Sequence, residues 1–554
     1  MTQNASGSPD GGAGRIDRSR PNIILIIADD LGYGDLGCHG NSVVETPHID
    51  RLYNQSTRLT RFYGGPMCSP SRASLMTGRY HYRTGVVDTY IGRSMMYPDE
   101  TTLAQVLSTQ GYRTGIFGKW HLGDNFPMRP QDQGFDETLV HRGGGIGQPG
   151  DTPGNTYFDP TLQRNGTAEQ QNGYCTDIFT ESATDFISES DEQPAFACIA
   201  TNAPHTPLQV EDRYIEPYRE RGLNEQTARV YAMVSNLDEN LGKLLSALER
   251  QKISDNTIVI FTSDHGMAGD RYNAGLRGSK GDVYEGGIRV PFFIRWPNQI
   301  EADREEDQIA HFIDVLPTLA DITGASVSPD IPLDGTSLRP ILLDEQNHLQ
   351  ERELFLQMHR GDEPTLYENC AVVTQQYKLI NGRKLFNLQR DSGEQTNIAT
   401  QNAPLVSTLR DSYESWFDEM EDARDFEPPK IVVGAPEENP TLLTRQDWLG
   451  PDRSGWSDED VGYWDVKISH PGKYDVTVEF TEINAISDIA VRIGDDHRSK
   501  SIAGGRSSCT FESFDLTEGT EKFEAWLTTE VPGKYEPKVE KTGVKYMHVV
   551  RDSE

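Results

Sequence analysis

The chain has 554 residues, too many for one ordinary hydrophobic core, so it divides into about two or three domains. Lys and Arg number 52 against 86 Asp and Glu, a formal charge of −34 that argues against nucleic acid as a partner. The negative mean hydropathy argues against a membrane span, and six scattered cysteines without a Cys-x-x-Cys pair read as neither a zinc site nor a disulfide framework.

Residues 1–20 are a polar tail with no apolar run of signal-peptide length. The chain therefore reads as cytoplasmic as written, or as secreted or periplasmic if a leader was removed. From Asn22 to Ala28 an unbroken apolar run predicts a strand buried on both faces. It ends in Asp29 and Asp30, where α/β folds place ligands, although two aspartates there could also cap a turn.

The stretch Gly64–Arg79 carries Cys68, Ser69, Pro70, Ser71 and Arg72 ahead of a helix-compatible run ending at Gly78. A helix start offers unpaired N–H groups and the positive end of a dipole, so Cys68 is either an activated nucleophile or a small buried thiol. Residues 111–123 read as a short strand running into a loop with Lys119 and His121. Between Gly134 and Gln193 the chain is rich in Gly, Asn and Thr, and its Gly143–Gly150 segment suggests an insertion that shapes a pocket.

A third strand, Ala195–Thr201, leads to His205 between Pro204 and Pro207, which predicts an extended, stiff loop. Helical spacing of Val230, Val234, Leu237, Leu241, Leu244 and Leu248 predicts a core-packing helix. Another apolar strand, Thr257–Thr262, ends in Asp264 and His265. Two buried strands thus each deliver a pair of metal-type ligands, as neighbours in a parallel sheet would at one edge. Lys280 precedes a glycine-bracketed turn.

Residues 310–345 complete this large domain, and 376–388 predict a hairpin on a two-residue Asn381-Gly382 turn, followed by a helix over 405–420. A Pro- and Glu-rich stretch, 425–440, reads as a linker. Beyond it, period-two alternation predicts a β-sandwich. Trp448, Trp456 and Trp464 could stack on sugars there, with packing the favoured reading.

The Cys68–Arg72 string with Leu75, Met76, Thr77 and Gly78 resembles the signature of the formylglycine-dependent (type I) sulfatases, arylsulfatase-like members of the alkaline phosphatase superfamily. Gly32–Gly37, Thr46–Leu52, Gly118–His121 and Leu276–Pro291 are similar to the corresponding sulfatase segments. The resemblance implies an α/β fold of alkaline-phosphatase type with a large mixed, mostly parallel sheet. It divides the chain into a tail (1–20), a catalytic domain (21–345), a small C-terminal α+β subdomain (346–424), the linker (425–440) and an appended β-sandwich (441–554).

It further implies that Cys68 is oxidised to formylglycine by a transient maturation enzyme, and that Asp29, Asp30, Asp264 and His265, beside Cys68, hold one divalent ion. The resemblance implies Ca²⁺, and the carboxylates suit Ca²⁺ or Mg²⁺; the histidine, where asparagine is common, suits Mn²⁺ or Zn²⁺ better and leaves the metal's identity open. Arg72 orients the hydrated aldehyde, Lys119 and Lys280 hold the sulfate oxygens, and His205 and His121 serve as acid and base in an order one sequence leaves open. The expected reaction is release of sulfate from an organic ester, a sulfated carbohydrate or aryl sulfate. The alternatives are a phosphonate or phosphate monoester hydrolase of the same fold and a non-catalytic binder of sulfated glycans.

Overall fold

A computed structural model of the chain describes residues 20–189, 193–328, 330–450, 457, 460–531 and 538–552. Among them, ten strands form one sheet in the order Arg304–Glu306, Thr57–Leu59, Phe292–Arg295, Thr257–Ser263, Asn22–Ala28, Ala195–Ala200, Arg113–Lys119, Glu137–His141, Thr161–Arg164, Thr167–Gln170. The five strands from Thr257–Ser263 to Glu137–His141 are mutually parallel, and the flanking pairs are mostly antiparallel, which makes the sheet mixed.

Asn22–Ala28 sits centrally because its side chains are apolar on both faces. Ile24 and Ile26 pack into one core with the Glu225–Gln251 helix, whereas Ile23, Leu25 and Ile27 pack into a second with the Cys68–Thr77 and Val315–Thr323 helices. The long helix starts at Asn224, whose side chain accepts the Thr227 N–H, and it buries Val230, Val234, Leu237, Leu241, Leu244 and Leu248. The register pairs Ala28 with Ser263, so the residues after both strands emerge side by side.

A four-stranded antiparallel sheet (354–387) follows, covered by the Ala403–Arg424 helix through Tyr413, Trp416 and Phe417. Its hairpin differs from the expected two-residue turn. Asn381 (φ 51°) and Gly382 (φ 62°) are both left-handed, but the ladder pairs Ile380 with Lys384, which leaves Arg383 as an extra loop residue.

Two further sheets form the C-terminal sandwich, one with Tyr463–Ile468 and Gly519–Val531, the other with Thr441–Thr444, Tyr546–Arg551, Gly472–Glu479 and Ser508–Leu516. The stretch read as a linker contributes to it: Ile431–Val433 is a strand parallel to Tyr463–Ile468. Trp448 and Trp464 are fully buried in its core, and Trp464 donates to the Thr444 carbonyl at 2.7 Å, so neither is a sugar platform; Trp456 lies outside the described residues.

That core is continuous with the part of the chain that carries the ten-stranded sheet, since Met95 and Met128 belong to the same apolar cluster. Hydrogen bonds from the Tyr546 hydroxyl to the Asp151 carbonyl (3.0 Å) and from Asn125 to the Leu442 carbonyl (2.9 Å) seal the junction. Among the described residues no helix is long and apolar enough to cross a membrane.

Candidate active site

The two central strands create the floor of the site. The Asp264 N–H donates to the Ala28 carbonyl at 3.1 Å and continues the ladder, whereas Asp30 turns away with φ 67° and donates its N–H to Asp264 Oδ1 at 3.3 Å. Both carboxylates and Asp29 are thereby pinned at one sheet edge, where the strands' carboxyl ends open.

Opposite them the Cys68–Thr77 helix begins at Cys68, with Met67 extended as its N-cap and no side chain capping the first amides. Every residue of this helix is buried, which explains its small side chains, and Gly78 ends it with φ 69°. One turn in, Arg72 reaches the sheet edge, donating to Asp264 Oδ2 at 3.1 Å and to the Lys119 carbonyl at 2.9 Å.

Cys68 Sγ lies 3.2 Å from His265 Nε2, 3.6 Å from Asp29 Oδ1 and 3.7 Å from Lys280 Nζ. His265 Nε2 is in turn 3.3 Å from Asp30 and 3.5 Å from Asp264. Donor atoms of Asp29, Asp30, Cys68 and His265 all fall within 4.8 Å of one another. Lys119 Nζ bonds Asp29 at 2.7 Å, and Lys280 Nζ bonds Asp30 at 2.6 Å.

Such crowding perturbs each group. Burial raises the Asp30 carboxyl, but Lys280 and the neighbouring histidines outweigh it and bring it down to about 2; Asp29 is likewise held well below the usual range against burial, chiefly by Lys119. Asp264 goes the other way: burial, with the charges of Asp29 and Cys68 beside it, pushes it up to about 7. Burial also opposes ionisation of the Cys68 thiol, yet Lys119 and Lys280 bring it down to about 5.

Arg72, Lys119, Lys280 and His265, whose imidazole, against burial, Asp264 and Cys68 raise to about 9, balance the three carboxylates and the Cys68 thiol, so the protein's own charges leave little excess to hold an anion. Asp29, Asp30 and His265 beside position 68, with Asp264 3.5 Å from His265 and raised by burial and its neighbours, form a donor set that a divalent cation would relieve and whose carboxylates suit a hard ion.

Above this floor opens a cleft of about 350 Å³ lined by Met67, Cys68, Thr89, Tyr90, His121, Gly144, Gln148, His205, Lys280, Arg360 and Gln446. His205 does not sit in the extended loop expected from its prolines: its N–H closes a turn onto the Asn202 carbonyl at 2.7 Å, and its Nδ1 bonds the Thr206 carbonyl at 2.5 Å. His121, with φ 61°, is buried, and its Nε2 lies 2.7 Å from the Thr89 carbonyl. Burial and then Lys119 push His121 well below the usual imidazole range, which keeps it neutral.

All ten residues singled out from sequence lie in this region: Asp29, Asp30, Cys68, Arg72, Lys119, Asp264, His265 and Lys280 interlock directly, while His121 and His205 line the cleft. Sequence reasoning missed Thr89, Tyr90, Gln148, Arg360 and Gln446. The glycine-rich loop flagged Gln148 indirectly; an Arg and a Gln in distant downstream segments carry no local signal. Arg360 bonds Asp88 at 2.7 Å and lies 5.3 Å over the Tyr90 ring at the cleft mouth.

Residues 21–325 match the family described as Sulfatase, and residues 279–417 match that described as N-sulphoglucosamine sulphohydrolase, C-terminal. Arylsulfatase J of Mus musculus is 35% identical over 339 residues, 58% of this chain, and the match spans only 56% of that relative's length. N-acetylgalactosamine-6-sulfatase of Canis lupus familiaris is 32% identical over 391 residues, covering 65% of this chain and 71% of the relative. The crystal structure of Ps i-CgsB in complex with k-i-k-neocarrahexaose is similar with a TM-score of 0.67 and 30% identity, over 74% of this chain and 94% of that one. The chain belongs to the sulfatase family, whose members hydrolyse sulfate esters.

Proposed function

We propose that this chain removes sulfate from a sulfated carbohydrate, with Cys68 matured to formylglycine by a separate enzyme and one divalent cation held by Asp29, Asp30, Asp264 and His265. The observation that carries the proposal is the convergence of Asp29, Asp30, Cys68 and His265 within 4.8 Å, with Asp264 3.5 Å from His265 and two lysines flanking them, at the base of a cleft. The aldehyde, hydrated, supplies a nucleophilic oxygen and a built-in route for releasing sulfate. The cation, best matched by Ca²⁺ with its preference for carboxylate oxygens, supplies positive charge for the sulfate and for ionisation of the nucleophile.

The chain's own groups do the rest. Lys119 and Lys280 reach the same carboxylates that hold the cation, so once those are neutralised both ammoniums are available to the sulfate oxygens. Arg72 orients the residue at position 68 from one helical turn away, tied to Asp264 and the Lys119 carbonyl. His121, kept neutral, takes a proton during sulfate release. His205 spends its Nδ1 hydrogen on Thr206, which leaves Nε2 to protonate the departing sugar oxygen.

A carbohydrate is favoured because polar and aromatic side chains, Tyr90, Gln148 and Arg360, surround the mouth. Two of the similar proteins carry a sulfated sugar's name or a bound carbohydrate in theirs. Release of inorganic sulfate from defined sulfated saccharides, compared with nitrophenyl sulfate, nitrophenyl phosphate and a phosphonate ester, tests the reading. No sulfate from any ester, in protein whose position 68 is shown by mass spectrometry to be formylglycine, would overturn it.

A further inference from the structure

We propose that the C-terminal sandwich completes this active site, with Gln446 acting as a positioning residue for His121. The inference rests on the reading of His121 as the proton acceptor. Both family matches end by residue 417, so Gln446 belongs to a part of the chain outside them.

Gln446 is held firmly from the sandwich side. It lies in the short turn Arg445–Asp447 after the Thr441–Thr444 strand; Thr444 Oγ1 accepts its N–H at 3.2 Å. Arg445 donates to the Val544 and Gly543 carbonyls at 2.8 and 3.2 Å, and Trp448 is fully buried behind it. From the catalytic side, the Gly92 N–H donates to the Gln446 carbonyl at 3.0 Å. The side chain, only 6% exposed, then reaches into the cleft wall.

Its amide nitrogen lies 2.7 Å from the Thr89 carbonyl and 3.1 Å from Ser94 Oγ, which uses both amide hydrogens. His121 Nε2 contacts the same Thr89 carbonyl at 2.7 Å and therefore carries its hydrogen there; its 3.3 Å separation from the Gln446 amide is packing between two donors that share one acceptor. Among the described residues His121 Nδ1 has no hydrogen-bond partner, so the tautomer set by this arrangement leaves its lone pair free.

The imidazole is clamped on its other side. A Cβ at Gly144 would lie 2.9 Å from His121 Cε1, and one at Gly150 would lie 3.0 Å from Gln446 Cβ, so the glycine-rich loop packs on both side chains at once. Without Gln446, the Thr89 carbonyl loses a fixing donor and the ring loses its wall. A catalytic group displaced slightly loses turnover rather than binding.

The test uses the full-length matured enzyme and nitrophenyl sulfate, which is too small to depend on the cleft mouth. Gln446→Met keeps the volume and removes the donors. It is expected to lower kcat about tenfold with KM within about twofold, and to leave the melting temperature near wild type. Gln446→Ala, which removes the wall as well as the donors, should lower kcat at least as far and melt lower. In a His121→Ala background, Gln446→Met should cost nothing further. Full kcat in Gln446→Met, or the same loss with and without His121, would overturn the positioning role while leaving the assignment of His121 intact. Full turnover in His121→Ala would instead remove that assignment and this inference with it.

Discussion

Lys119→Met isolates the charge balance beneath the cleft. Lys119 has a fully buried side chain 2.7 Å from an equally buried Asp29. At that separation and an effective dielectric near 20, the gross attraction is about 6 kcal/mol. Methionine keeps the packing volume but strands a buried carboxylate, a change that costs about 3–5 kcal/mol in net stability.

The lower end applies, because Arg72, His205 and Lys280 also attract Asp29. For a domain of this size about 2 °C accompanies each kcal/mol, so the chelator-treated variant should melt about 6 °C below wild type. A divalent cation on the same carboxylate replaces the missing charge. Saturating Ca²⁺ should therefore recover most of the melting temperature and leave turnover severely impaired, since the ammonium for sulfate is still gone. Differential scanning fluorimetry with EDTA or Ca²⁺, alongside sulfate release, reads both. A variant that melts like wild type in EDTA, or whose deficit Ca²⁺ does not narrow, would refute the idea that lysine and metal share Asp29.

Cys68→Ala should eliminate turnover with the circular dichroism spectrum unchanged, and the peptide spanning position 68 in active wild-type enzyme should be lighter than its thiol form by mass spectrometry. Chelation should abolish activity; Ca²⁺, Mg²⁺ and Mn²⁺ added back singly should rank with Ca²⁺ first if carboxylates dominate the donor set, and Mn²⁺ first if His265 does. Burial pushes Asp238 up to about 7 against the pull of the Ile49 and His48 N–H groups. Its native pKa lies above the unfolded value near 4, so its stabilisation is full at low pH and lost as pH rises through about 7. Asp238→Asn should thus raise the melting temperature at pH 8 by more than at pH 5, and an equal gain at both would contradict the argument. Trp448→Ala should destabilise the protein by about 3–5 kcal/mol, read by the same fluorimetry, without changing its affinity for sulfated glycans on a gel-shift assay, as expected of a core residue.

Local chemistry was legible in the sequence wherever a property repeats along the chain or concentrates in one segment. Five consecutive apolar residues, Ile23 to Ile27, can only be buried on both faces, and that alone predicted the central strand and the placement of Asp29 and Asp30 at its end. The same logic delivered Asp264, His265 and the long helix, and motif resemblance supplied Cys68, Arg72, the lysines and both histidines.

Tertiary structure decided the pairings that no periodicity encodes. Gln446 meets His121 from 325 residues away, and Arg360 meets Asp88 from 272 away, because distant parts of the chain are packed against each other and not because of anything in either segment. Alternation alone could not distinguish the buried Trp464 from a surface platform, nor show that the stretch after Asp425 pairs into the sandwich, since hydrophobicity states that a side chain prefers burial but not which partner buries it. The charge balance at Asp29, Asp30 and Asp264 likewise depends on distances of a few ångströms, which are set by how strands and helix are packed together and not by the order of residues within them.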